Sequence, residues 1–484
     1  MVYPRLVTSR WSAVLCLLLS ALSFASTACT KENPAFCCST LESCGAAGVS
    51  SLRSCDAAGN RPFCDDTGDF GPAHTCIPDP TAPACDGADD CVAPERPVCD
   101  TADTGTCVGC DDANDCTRFG GRNMCHPTSG ACVECTSPAH CTAATAPVCG
   151  VDGACRGCDA DAECGSGVCD ESTGACVAED DIIYVDRNGA GTLCTRTMPC
   201  AALTVATPLL GGARRFIVVA AGEYTESVTL DGKVATIIGP GASLRPNAFD
   251  LPAVLVLNAS TVQIEGMRLY SAGGNANGDG IRCAAPVSGN PSITLLGVRI
   301  DSNVGFGVDA SDCAVTIRRS TISGNTGGGV SISDGSFDIT NTFITGNGAN
   351  TAVGGARLMN NATSSVFEFN TVAENVAGSG VAKSLICAAV GTQRIANNIF
   401  FSGDQTQVSQ TNCNLEFNLS NMGLGGSGNV TASPTFVGGG DFHLMPGSEG
   451  IDAADPNATL SIDFDGHTRP QGARRDMGAD EVVP

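Results

Sequence analysis

Four nonapeptides decide the fold: LLGVRIDSN (residues 295–303), IRRSTISGN (317–325), ITNTFITGN (339–347) and FEFNTVAEN (367–375). Each opens on an apolar residue, carries a second apolar residue five places later and closes on Asn three places after that. The same frame, closing on a small residue, recurs at Ile264, Leu269 and Ala272 and at Ile395, Phe400 and Gly403. The closing places are 31, 22, 22, 28 and 28 residues apart. Self-similarity at this period, in a β-branched and Gly-rich texture, is the mark of a solenoid whose coils pair with the coils above and below.

In that geometry the two apolar places point into a narrow core. The Asn falls at a tight corner, where it can adopt the left-handed backbone region and bond the Asn of the next coil. Asn303, Asn325, Asn347 and Asn375 are therefore expected to form a ladder. Gly305 and Gly307, Gly327 to Gly329, and Gly378 and Gly380 supply the bends between strands. A sandwich of Asn-Gly hairpins is the alternative, and the constant spacing within the frame favours the solenoid of roughly ten coils. Stacked coils would let Cys283 pair with Cys313 and Cys387 with Cys413, while Cys194 and Cys200 would close the opening loop. The one helix candidate after residue 182 is Ala201 to Leu210.

The texture before residue 182 is different. The chain has 484 residues, with Lys+Arg 26 and Asp+Glu 51 for a net charge of −25. Residues 30–181 hold 7 basic and 26 acidic side chains, so −19 of that charge lies in under a third of the length. An acidic load of this size excludes nucleic acid and anionic membranes as bulk electrostatic partners. Four tandem modules occupy residues 85–181: Cys85, Cys91, Cys99, Cys107; Cys110, Cys116, Cys125, Cys132; Cys135, Cys141, Cys149, Cys155; and Cys158, Cys164, Cys169, Cys176. Units of about 25 residues cannot bury a sufficient apolar core, so two disulfides per module are expected, with connectivity open. The C-x-x-C junctions, such as Cys107 and Cys110, also admit zinc. Residues 29–84 form an irregular segment whose Cys37, Cys38, Cys44, Cys55, Cys64 and Cys76 would make three more bridges.

Residues 1–28 read as a signal peptide: Arg5 and Arg10, an apolar run from Trp11 to Phe24, then small residues. Ser26-Thr27-Ala28-Cys29 resembles a bacterial lipobox, with Ser26 where Leu is usual, which implies lipid attachment at Cys29. Thirty cysteines less Cys16 and Cys29 leave an even 28 to pair. The location expected is the bacterial outer membrane or cell surface, with free secretion as the alternative.

Tyr184 to Gly189, Pro199 to Leu203 and Ile217 to Glu226 resemble the opening of proteins of the pectate-lyase-like superfamily. That resemblance implies an all-β chain: a right-handed parallel β-helix solenoid over 182–440, preceded by a small disulfide-rich repeat region. Phe442 to Ser448, Asp463 to Gly466 and Asp476 to Glu481 resemble the choice-of-anchor Q segment of bacterial surface β-helix proteins, and 441–484 is expected to cap the coil. The lyase, polygalacturonase and pectin-methylesterase residue sets are all missing, so no catalytic residue carries over. What remains is a polar patch of Arg299, Asp301, Arg318 and Arg319 on outward positions, with Arg268 and Glu368 nearby. Arginines of this kind grip carboxylates bidentately, which suits an acidic glycan. The expected role is adhesion or glycan binding, the alternative a polysaccharide lyase or hydrolase. No cofactor is expected, although Asp463, Asp465, Asp476, Asp480 and Glu481 are of the type that gathers Ca²⁺. His443 and His467 are assigned to turns.

Overall fold

In the computed structural model, the described residues are 37–39, 55, 63–66, 73–77 and 84–483, apart from 274–276, 286, 288, 350–352, 362–363 and 404. The leader, Cys29 and Cys44 lie outside them. The chain divides into two compact units at Cys176/Val177.

The first unit is built from cystines. Each module pairs its first cysteine with its third and its second with its fourth: Cys85–Cys99 and Cys91–Cys107, Cys110–Cys125 and Cys116–Cys132, Cys135–Cys149 and Cys141–Cys155, Cys158–Cys169 and Cys164–Cys176. A 3₁₀ turn follows the first cysteine, and the third and last cysteines sit opposite each other in a two-residue hairpin, as Cys99 does with Cys107. The junction cysteines therefore belong to different modules, and their sulfurs are spent on separate bridges. Upstream, Cys37 bonds Cys64 and Cys55 bonds Cys76, while Cys38 is also disulfide-bonded. Arg118 of the second module donates to the carbonyls of Ala88, Cys91 and Pro97 of the first, joining neighbours that have little apolar surface to share.

The second unit is a parallel β-solenoid of about seven turns, fewer than the ten expected. Each turn contributes a strand to three sheets. In the central coils sheet A runs through Ser292–Leu296, Ala314–Arg318 and Ser336–Thr340, and sheet B through Arg299–Asp301, Thr321–Ser323 and Phe343–Thr345. Sheet C runs through Phe306–Ser311, Gly328–Ser333 and Ala356–Met359. In these coils neighbouring strands are parallel and in register, for example Ile317 with Ile339 and Ile300 with Ile322 with Ile344. Alternation along each strand turns Leu295, Ile317, Ile339, Phe367 and Ile395 inward from sheet A, where they are fully buried against their counterparts from B and C.

The corner between B and C holds the expected amides. Asn303 Nδ2 donates to Asn325 Oδ1 (2.8 Å), Asn325 to Asn347 (2.9 Å) and Asn347 to Asn375 (3.1 Å). Each acceptor oxygen also takes the backbone N–H of the preceding Asn, and Asn325 Nδ2 gives its second proton to the Ile300 carbonyl. The left-handed residue, however, is the one before each Asn: Ser302, Gly324, Gly346 and Glu374, with φ between 54 and 63°. The bend is made one place early, which leaves the amide free to point inward.

A second ladder occupies the corner between A and B. Asn370, Asn398, Asn418 and Asn429 are joined in sequence at 3.1, 3.0 and 3.2 Å. Its bends are Gly266, Gly297, Arg319, Asn341, Phe369, Asn397 and Phe417, all at positive φ. In the early coils Ser320 and Thr342 stand in the ladder place; Ser320 Oγ accepts the Val298 N–H at 3.1 Å.

The helical turn at the start is shorter than expected, an α-helical Leu203–Ala206 continued by a 3₁₀ turn at Thr207–Leu209. Buried Glu226 accepts the Leu203 and Thr204 N–H groups, both at 2.8 Å, and so supplies the anion that a helix N-terminus favours. Cys194–Cys200, Cys283–Cys313 and Cys387–Cys413 are bonded. Residues 441–483 run along the side of the coil, over outward apolar residues of sheet B that would otherwise meet water: Phe343 meets Phe464 edge to face with ring centroids 4.6 Å apart, and Leu419 and Ile399 cluster with Leu444 and Met477.

Asn325 is fully buried, and replacing it with Ala strands donors on Asn303 and an acceptor on Asn347 where water cannot reach. We predict a loss of about 3 kcal/mol for Asn325→Ala, since unsatisfied buried groups cost about 1–3 kcal/mol each. Ser323→Ala, on the outer side of the same coil, should change stability by less than about 0.5 kcal/mol. Equilibrium unfolding of the two variants compares them; equal losses would remove the ladder from its stabilising role.

Candidate functional site

Four arginine and aspartate positions were expected to share one patch, and the structure separates them. Asp301 and Arg299 lie on sheet B, Arg318 ends a strand of sheet A, and Arg319 is the left-handed bend between the sheets. The bend at Arg319-Ser320 turns the chain through the corner, so outward positions on either side of it face different ways.

On sheet B, register sets Arg268 beside Arg299 and Tyr270 beside Asp301. Two like charges this close need a counter-ion. Asp301 supplies it, accepting from Arg268 Nε and Nη2 at 2.7 and 2.6 Å and from Arg299 Nε at 2.9 Å. Burial alone would raise the Asp301 carboxyl, but the two guanidiniums and Ser302 hold it below the usual range. The Arg268 guanidinium also lies 4.2 Å from the Tyr270 ring centroid. Asp301, nearly buried, offsets one of the two positive charges, and the cluster stitches two coils together.

Arg318 and Arg319 open instead onto a groove of about 540 Å³ between sheet A and the C-terminal segment. Its sheet side carries Asp338 and Glu368 as well, and its other wall is Thr459 to Ile462. Arg318 pairs with Asp338 at 2.5 Å. At the lower end Arg394 binds Glu368 (2.5 Å), Glu416 (2.9 Å) and Asp455 (2.5 Å), tying three strands of sheet A to the C-terminal segment. Burial pushes the Glu368 carboxyl upward despite Arg394, and Asp455 and Asp338 push it the same way.

The column of bends explains why Arg319 faces this space. Each bend residue projects off the corner, and those below Arg319 receive the C-terminal segment. Asn341 Nδ2 donates to the Ile462 carbonyl (2.8 Å), the Phe369 ring lies 4.9 Å from the Arg469 guanidinium, and Asn397 Oδ1 accepts the Asp455 N–H (2.8 Å). Arg319 stands one coil above these three, at the rim of the groove, with its Nη1 beside Gly466 of the C-terminal segment. The two coils above it place Gly266 and Gly297 at the same bend, where a left-handed backbone costs nothing sterically.

The acidic residues of the C-terminal segment are engaged as acceptors. Asp463 takes the N–H groups of His467 (2.7 Å) and Glu481 (3.1 Å), Asp476 those of Asp452 (2.7 Å) and Val482 (2.9 Å), and Asp480 that of Leu444 (2.8 Å). Glu481 binds Arg469 at 2.9 Å and Asp465 lies 3.1 Å from His443 Nε2. Arg394, Asp338, Tyr270 and the wall at 459–462 were not singled out from sequence. Aligning outward positions coil by coil would have set Asp338 two coils above Arg394, but nothing in the pattern announces that a distant segment forms the opposite wall.

No family model matches the chain, and no curated protein matches it. Among solved structures it is similar to pectate lyase Pel9A, at 13% identity and a TM-score of 0.41, over 62% of this chain and 96% of that one. It is also similar to the pectin methylesterase from Aspergillus niger in deglycosylated form, at 13% identity and a TM-score of 0.27, over 53% and 88%.

Arg319→Gly should leave stability unchanged or raise it by up to about 1 kcal/mol, because a left-handed non-glycine residue costs about 1–2 kcal/mol and glycine's added unfolded entropy returns part of it. Arg394→Met, which abandons three carboxylates, should instead destabilise by at least about 2 kcal/mol. Thermal unfolding of both variants tests the contrast; equal destabilisation would mean that Arg319 is a structural residue of the corner.

Proposed function

We propose that this chain is an exported, lipid-anchored bacterial surface protein whose solenoid binds an acidic glycan in the groove between sheet A and residues 459–462, in a role of adhesion. The reading is supported chiefly by one observation: consecutive arginines, Arg318 and Arg319, face a groove of ligand size with Asp338 as the one carboxylate paired to Arg318. A guanidinium presents paired N–H groups to a carboxylate, and hydroxyls of Thr340, Thr459 and Ser461 line the same space for sugar hydroxyls. Export and lipid attachment rest on the leader and Cys29, and on the density of disulfides, which persist in oxidising compartments.

A second reading, cleavage of the glycan, has its own observation. Asp338 and Glu368 share the groove, and the raised Glu368 carboxyl is of the kind that serves as a general acid beside an ionised partner.

The test is titration of the oxidised full chain with size-defined oligouronates and with neutral oligosaccharides of the same length. Saturable, salt-sensitive uronate binding that weakens at least tenfold in Arg318→Ala/Arg319→Ala is the expected result. Equal binding of the neutral set, or an unaffected double variant, would remove the groove as the site. New reducing ends or unsaturated uronate absorbance, abolished in Glu368→Gln, would replace adhesion with catalysis.

A further inference from the structure

We propose that the C-terminal segment is an acid-tightened wall of the groove: its buried carboxylate cluster takes up a proton as it docks, so that its grip on the solenoid strengthens as the medium acidifies. This concerns the regulation of the site proposed above and rests on that reading. The docking itself can be measured without any ligand.

The argument begins with a count of buried charges. Arg469 has no exposed side-chain surface, and neither has Glu481, to which it is paired. Asp463, Asp476 and Asp480 lie around the same guanidinium and are 0, 2 and 6% exposed. One positive charge thus faces four carboxyl groups in a space closed to water. Arg469 spends its remaining protons on the carbonyls of Asp476 (3.1 Å) and Gly478 (2.9 Å) and on Asn341 Oδ1 (3.3 Å) of the solenoid. Carboxylates crowded in this way repel one another, so a proton taken up at one of them relieves the whole set.

Arg469 is the one arginine within the cluster, and the other basic groups lie at its edge. His467 Nδ1 is 3.3 Å from Asp463. His443 acts on Asp480 but is itself held between Asp441 (2.5 Å) and Asp465 (3.1 Å). Arg474 and Arg475 donate to the carbonyls of Asp452 and Leu460. From the solenoid the segment meets Asn341, Phe343, Phe369, Thr371, Asn397 and Ile399, which carry no charge, and Arg319, whose Nη1 lies beside Gly466; Arg394 on Asp455 is the ion pair across that contact among the described residues. Burial accordingly pushes Asp476 up to about 6 and raises Asp480. In His443 burial opposes the charge, but Asp441, Asp480 and Asp465 overcome it and raise its value too.

All three shifts act in one direction. A carboxyl whose docked value lies above its free value is protonated more readily when docked, so docking gains as pH falls from about 6 toward the free value of roughly 4. A histidine raised in the docked state adds stability below its free value and loses it as pH rises through the docked one. Near neutrality and above, the segment holds least firmly. The groove feels this directly, because the Ile462 carbonyl that Asn341 holds also accepts from Arg469 Nε at 3.3 Å.

Hydrogen exchange of the intact oxidised chain, expressed as protection factors corrected for intrinsic rates, tests the proposal at pH 5 and pH 8. Gly478 N–H bonds the Asn397 carbonyl and Ala479 N–H bonds Thr371 Oγ1, so the peptide 477–481 reports docking. Its protection should be roughly tenfold higher at pH 5 than at pH 8, as expected for a docked value near 6, relative to strand Ser336–Thr340. Asp480→Asn and Asp476→Asn should flatten that ratio. If either variant loses protection in the core strand as well, the wild-type ratio alone decides. Equal protection at the two pH values overturns the proposal. Tightening without uronate binding would overturn the groove as a glycan site while upholding the acid-tightened docking.

Discussion

Everything in the solenoid depends on how the chain turns a corner without stranding buried polar groups. A coil of 22 residues has to bend three times within a cross-section filled by side chains, and each bend takes backbone N–H groups off the strand ladder. Here one residue accepts the left-handed conformation and the next sends an amide inward to bond the coils on either side. The amide has two donors and an oxygen with two lone pairs, so in an endless stack every valence is met. That is also why the ladders do not end abruptly: where Asn gives way to Ser320 or Ser402, a hydroxyl takes over one acceptor role, and Ser402 Oγ receives the Asn375 N–H at 3.1 Å.

Much of this architecture was legible in the chain because the constraint repeats. The apolar pair and the Asn at a fixed offset are visible in four successive nonapeptides, and they place the core, the sheets and the first ladder. The second ladder was equally present, at the fourth place of the same nonapeptides as Val298, Ser320, Thr342 and Asn370, but it becomes Asn only from the fourth onward. A drifting residue type hides a constant position. The mislocated bend has a related cause: the left-handed place is filled by Ser, Gly and Glu, so no single residue type marks it, whereas the conspicuous Asn sits beside it. The C-terminal segment was the least legible element. Its path along the side of the coil follows from outward Phe343, Ile399 and Leu419, and outward apolar residues look like defects until something is seen to cover them.

The two units solve the same stability problem by opposite means. A module of about 25 residues encloses four sulfurs and little else, so its order comes from limiting the unfolded chain. The solenoid encloses long aliphatic stacks and uses three disulfides as local clips. Charge follows the same division. In the modules carboxylates stay at the surface and serve as turn acceptors, as Asp112 does for the Asn114 N–H at 2.7 Å. In the second unit several are drawn into buried sites, where an arginine or backbone N–H groups meet them.

That difference places the functional reading on Arg319. Apart from Arg319, the bends of the A–B corner form a line in which each residue is either glycine or is covered: Asn341, Phe369 and Asn397 by the C-terminal segment, and Phe417 by the turn at Gly428. Covered residues recover the cost of the left-handed backbone through their contacts, and glycines do not incur it. Arg319 incurs that cost and projects into a groove, its backbone N–H bonded to Thr340 at 3.4 Å. Its Nη1 lies beside Gly466 of the C-terminal segment, so the side chain reaches from the corner toward the opposite wall, where a ligand in the groove would meet it. The fold offers one a wall on each side, with Arg318 beside it.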